Sequence, residues 1–130
     1  MAAKKYTEAL KQFEAALKIE SSNPLLWCAR ANVYFYMQNY HLAIRDYTAA
    51  INIAPQIGSY YYAIAQAYEA MGNYVAAMND VVIAAQYGEP AAQQIIAAIN
   101  AKNNAYLEKN KKQMNEQLEQ RFGLKKGTLK

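Results

Sequence analysis

The chain has 130 residues, 54% of them apolar, which is enough for one domain with its own core. Three prolines and five glycines favour helix throughout, and a single cysteine, Cys28, excludes an internal disulfide. The net charge of +4 is unevenly placed: residues 25–101 carry two arginines against four acids, whereas residues 102–130 carry eight basic residues against three glutamates, so the basicity belongs to the tail.

The N-terminal residues Met1 to Lys5 lead straight into an amphipathic pattern and lack the apolar core of a secretory signal. No run approaches membrane-spanning length, and the lone cysteine fits a reducing compartment, so a cytoplasmic location is expected. Twelve tyrosines against three phenylalanines and one tryptophan supply large apolar bodies with polar tips, suited to half-buried or binding surfaces.

In chain order, Tyr6, Leu10, Phe13 and Leu17 form one stripe of a helix over residues 4–20. The run Ser21-Ser22-Asn23-Pro24 stops it, with Asn23 as N-cap and Pro24 in the first turn of a second helix over 24–37. Gln38-Asn39 makes a tight turn into a third helix over 40–53, closed by Ala54-Pro55. A fourth helix over 58–71 ends at Gly72, where a left-handed residue is wanted, and a fifth covers 74–87. Gly88-Glu89-Pro90 then precedes a last helix running to about Phe122.

A period of 34 residues organises these helices: Tyr6, Tyr40 and Tyr74 recur on it, as do Ala9, Ala43 and Ala77, and Ala16, Ala50 and Ala84. A fixed period of this length means stacked units, each too small to bury its own apolar face. The alanines let neighbouring helices approach, and the aromatic residues fill the gaps, so Ala43→Leu or Ala77→Leu should overpack the stack by roughly 1–3 kcal/mol.

Trp27, Ala31, Tyr34, Tyr40, Ala43, Tyr47, Ala50 and Pro55 resemble the tetratricopeptide repeat signature at its expected spacings. Tyr61, Ala65, Tyr68, Gly72, Tyr74, Ala77 and Ala84 resemble it again, and Tyr6, Ala9, Phe13 and Ala16 match the second helix of a unit alone. The resemblance covers residues 4–91 and implies an all-α, right-handed α-solenoid of helix-turn-helix repeats, two full and one half, with a long C-terminal capping helix. The implied organisation is an array over 1–106, comprising a half repeat at 4–23, repeats at 24–57 and 58–91 and a capping helix at 91–106, followed by a basic helical extension at 107–130. The pattern departs at Val81, Ala85 and Glu89, and one period on it fails at Ile99 and Lys102, so residues 91–106 are no further repeat. The first helix of the first unit would precede Met1. Either upstream sequence supplies it, or a second subunit covers that face as a homodimer.

In arrays of this family the first helix of each unit lines a concave groove. That placement puts Asn32, Phe35 and Tyr36, then Tyr62, Gln66 and Glu69, then Ile96 and Asn100 in a candidate peptide-binding groove, with Leu25, Cys28 and Ser59 beside them. The amides of Asn32, Gln66 and Asn100 each donate and accept, so they can pair with an extended backbone, and the aromatic neighbours and Ile96 offer apolar pockets. Some family members clamp a chaperone's C-terminal carboxylate with Lys, Asn and Arg. Here Asn32 is in place, but Cys28, Ser59 and Ala63 stand where the cations belong, so that clamp is not expected.

No catalytic constellation is expected. His41 is the only histidine and has no companion ligands for a metal, Cys28 has no adjacent base, and Asp46 and Asp80, one period apart, read as solvated or structural positions. No cofactor is implied. The tail cations Lys109, Lys111, Lys112, Arg121, Lys125, Lys126 and Lys130 are interrupted by Glu108, Glu116 and Glu119, which argues for a solvated helix over a nucleic-acid or anionic-membrane surface. Leu107, Met114, Leu118 and Phe122 give that helix a thin apolar stripe. The resulting expectation is a non-enzymatic module binding a protein or peptide partner in its groove, as a scaffold or chaperone-like adaptor. Self-association through the first and last helices is the second reading, and electrostatic nucleic-acid binding the distant third.

Overall fold

The computed structural model describes residues 2–123, and among these it is built from six helices and no strand. These are α1 (Ala2–Ile19), α2 (Pro24–Tyr36), α3 (Tyr40–Ile53), α4 (Gly58–Ala70), α5 (Tyr74–Gln86) and α6 (Ala92–Phe122). Each falls within about two residues of the helix read from the apolar period, and α3 coincides with it. The architecture is the all-α helical repeat solenoid expected. The residues up to Ile96 form one compact unit and those from Ala97 a second.

Helix starts follow the chemistry of their caps. The Asn23 side chain accepts from the Leu25 N–H, and Pro24 occupies the first turn of α2. Asn39 and Asn73, one period apart, cap α3 and α5 by accepting from Leu42 and Ala76. Helix ends are equally regular. Asn39 donates its backbone N–H to Tyr34, Asn73 to Tyr68 and Glu89 to Ala84, at 2.8, 2.9 and 3.0 Å. Each bond spans five residues and closes a Schellman turn, whose left-handed position is held by Gln38, Gly72 and Gly88 in turn.

In the first unit α1 packs on α2, α2 on α3, α3 on α4 and α4 on α5. The alanines of the period are the closest approaches: Ala31, Ala43, Ala50, Ala65, Ala77 and Ala84 expose no surface. Around Ala31, Ala43, Tyr47 and Ile64 the partly buried Cys28, Tyr34, Phe35, Ile44 and Tyr68 complete a core shared by α2, α3 and α4. A second close approach falls at Gly58. A Cβ there would stand 3.0 Å from the Ala84 carbonyl oxygen and 3.2 Å from Tyr87 Cβ, so glycine lets α4 begin against the end of α5. The helix α6 starts in this unit with Ala92 and Ile95 buried.

The second unit, taken by itself, is the rest of α6. Residues 101–110 are exposed throughout, and Leu107, Met114 and Phe122 on the expected apolar stripe are about half or more exposed. Lys111 pairs with Glu108 at 3.5 Å, one turn apart. No helix among the described residues is long and apolar enough to cross a membrane.

Candidate functional site

The expected groove residues divide between α2, α4 and α6. Phe35 is fixed edge-on to Tyr40 at 5.4 Å and to Tyr36 at 5.9 Å, so its ring is held by packing rather than left to rotate. With Gln66, Glu69, Ala70 and Ile95 it lines a cleft of about 350 Å³. That is near the bottom of the range for small-molecule pockets, about 300–1,000 Å³, and suits one bulky apolar side chain. Phe35, Gln66 and Glu69 are thus brought together. Tyr62 joins them through its phenol oxygen, which accepts from Gln66 Nε2 at 3.2 Å. Tyr36 stands beside Phe35 with 69% of its surface exposed.

The two amides are oriented by their neighbours. The buried Tyr47 donates its phenol proton to Asn32 Oδ1. Burial pushes that phenol far above its ordinary range, so Tyr47 remains a donor, and the exposed Asn32 keeps its Nδ2 hydrogens as donors. Gln66, having donated to Tyr62, keeps its Oε1 as an acceptor. One amide therefore offers donors and the other an acceptor, the two functions an extended backbone needs. Ile96 is partly buried on α6, and Asn100, exposed, belongs to the second compact unit.

Two groove-side details lay outside sequence reasoning. Ile95 continues the register of Trp27 and Tyr61, a packing position, yet it also borders the cleft. Cys28, expected on the groove, packs against the core cluster, and burial raises its thiol above the ordinary range. A protonated thiol without a base is no nucleophile. His41 is exposed, and among the described residues no group of three or more His, Cys, Asp or Glu could hold a metal ion.

A larger cleft, about 600 Å³, lies between α1, α2 and α3 and is lined by Glu14, Trp27, Arg30, Tyr34 and Arg45 among others. Its charges answer one another. Arg30 forks onto Asp46 at 2.7 and 3.0 Å, Arg45 adds a contact at 3.2 Å, and Asp46 is fully buried. The hydrogen bond to Asp46 raises the Arg30 pKa against the opposing effect of burial. The guanidinium of Arg30 lies 5.1 Å from the Trp27 ring centre, and that of Arg45 lies 5.8 Å from Tyr34. Asp46 thus takes the structural one of its two expected roles. The tail positions Lys125, Lys126 and Lys130 lie outside the described residues.

A TPR repeat family model matches residues 1–38, and two tetratricopeptide repeat models match 24–57 and 58–80, so that the three together span 1–80. The second and third begin where α2 and α4 begin, and the last stops beside Val81, where the pattern starts to depart. No curated protein matches the chain. With two helix pairs in the register of the repeat and that family's models covering 1–80, the chain belongs to the tetratricopeptide repeat family.

Proposed function

We propose that the groove side of α2 and α4 binds an extended segment of a partner protein, making the chain a non-enzymatic scaffold or chaperone-like adaptor. Tetratricopeptide repeats mediate protein–protein interaction. The observation that carries the finer reading is the pairing of one exposed amide left as a donor, Asn32, with one left as an acceptor, Gln66, beside a cleft sized for a single apolar side chain. Backbone hydrogen bonds would supply register, and the Phe35–Ile95 cleft would supply an anchor. A peptide-library screen tests this. Changing Asn32, Tyr62 and Gln66 together to Ala should abolish capture while the helical circular dichroism stays intact. Capture that survives the triple change sinks the groove reading.

A second reading is self-association through α1. At the same points of the period Ala43, Tyr47 and Ala50 are at most 2% exposed and Ala77, Val81 and Ala84 fully buried, whereas Ala9, Phe13 and Ala16 are only partly buried. A second copy laid on that face would bury them. Light scattering across a concentration series separates the readings: a dimer that Phe13→Glu dissociates supports self-association, and a concentration-independent monomer removes it.

A further inference from the structure

The first repeat holds an arginine between a ring and a carboxylate, and the second repeat carries a ring and a carboxylate at the same points of the period without that arginine. Trp27 and Tyr61, 34 residues apart, anchor alike: each donates to the backbone carbonyl six residues earlier, Ser21 and Pro55, both at 2.8 Å. Asp46 and Asp80 are separated by the same 34 residues. In the first repeat the pair of ring and carboxylate is filled from within. Arg30 lies over the Trp27 ring and forks onto Asp46, and Arg45 covers the rest of the carboxylate. In the second repeat the positions of those arginines are Ile64 and Asn79. Ile64 is turned into the core at 4% exposure.

The consequence is visible at the acid. Asp46 exposes no surface, but Asp80 is partly exposed and makes no hydrogen bond or ion pair among the described residues. The two guanidinium groups that cover Asp46 have no counterpart at the matching positions, Ile64 and Asn79. Burial raises the Asp80 carboxyl, as expected of a desolvated acid without a cation. Tyr61 holds the period position of Trp27, the ring that carries Arg30 in the first repeat, and burial, then Tyr87 and Asp80, raise its phenol. Tyr87 stacks on Tyr61 at 5.7 Å and widens the aromatic surface beside the acid. The stretch of chain that contains it is acidic, because residues 46–101 contain four acids and no lysine, arginine or histidine.

We propose that Asp80, with Tyr61 beside it, is a docking point for an arginine side chain of a partner protein. A guanidinium suits it better than an ammonium, because a planar fork satisfies both carboxylate oxygens and lies flat against an aromatic ring. The first repeat displays that arrangement internally. The proposal does not rest on the groove reading, since its residues are not those of the groove, and its failure leaves that reading untouched.

The test is an amide-resolved NMR titration of the full chain with N-acetyl-arginine amide, with the lysine and citrulline amides in parallel. A lone side chain should bind with a Kd on the order of 1 mM. Saturable shifts should centre on Tyr61, Asp80 and Tyr87, with arginine ahead of lysine and citrulline silent. Asp80→Asn should weaken arginine binding by at least about tenfold. Ile64→Arg, which supplies the guanidinium from within, should close the site, and if that variant fails to fold the isosteric Asp80→Asn still decides. Equal shifts with citrulline, unchanged binding in Asp80→Asn, or no saturable shift overturns the proposal.

Discussion

Gln38 and Gly72 occupy the same point of the repeat and share a left-handed backbone, with φ of 62° and 79°. The position ends the first helix of each unit in a Schellman turn, and it favours a residue without Cβ. Gln38 is therefore strained where Gly72 is not. A left-handed residue bearing a Cβ costs roughly 1–2 kcal/mol, partly offset by the greater unfolded entropy of glycine. Gln38→Gly should stabilise the fold by about 1 kcal/mol in urea denaturation. No gain, or a loss, would mean that the turn relaxes around Gln38 at little cost.

The Arg30–Asp46 pair makes a stronger demand. Asp46 is fully buried and the Arg30 side chain is 15% exposed, so removing the arginine leaves a buried carboxylate held by the half-exposed Arg45 alone. Breaking such a pair costs about 3–5 kcal/mol, whereas replacing both members with apolar residues is often neutral. Arg30→Met should lose about 3 kcal/mol, and Arg30→Met with Asp46→Leu should recover most of it. Ile64 already shows that this point of the period accepts an apolar side chain. Simple additivity of the two single losses in denaturant unfolding would show that the pair is not coupled.

That pair marks where sequence reading stopped. The helical spacing of apolar residues gave six helices, because each depends on local spacing and on caps such as Asn23 that act within three residues. The 34-residue period gave the buried alanines, because small residues recurring on one face report helix contact. Arg30 and Asp46 are 16 residues apart on different helices, and no local rule couples them. Cys28 was legible only to one turn of helix. Its place on the first helix of a unit suggested the groove, and what that placement did not show is its packing against the core cluster. Projecting the period onto α6 pointed to Ile96, yet Ile95 borders the cleft, where the repeat pattern no longer holds.

The caps of α2 and α4 differ in the same instructive way. Asn23 and Ile57 precede these helices one period apart with similar backbones, φ −91° and ψ 107° against φ −95° and ψ 102°. Asn23 accepts a backbone N–H, but Ile57 makes no side-chain cap and is 42% exposed. The backbone at Ile57 is thus already set for a capping residue. Ile57→Asn should add about 1 kcal/mol, with the midpoint of thermal unfolding rising accordingly. An unchanged midpoint would indicate that the apolar contacts of Ile57 match the value of a cap.

Asp80 should reveal its missing cation through pH. Its folded carboxyl titrates above the ordinary value of 3.8 because burial disfavours the charge. In the window between 3.8 and the raised folded value the folded state binds more protons than the unfolded chain, so stability falls as pH rises through it. At neutral pH the ionised acid is a net cost, moderated because the group is partly exposed. Asp80→Asn should therefore stabilise the protein by about 0.5 kcal/mol at pH 7. The gain should vanish below about pH 3, where wild-type Asp80 is protonated in both states. Paired unfolding curves at the two pH values check this, and a gain that persists in acid would assign the effect to packing instead of charge. An acid kept at such a cost, in a stretch of the chain without cations, is what a receptor for an incoming guanidinium requires.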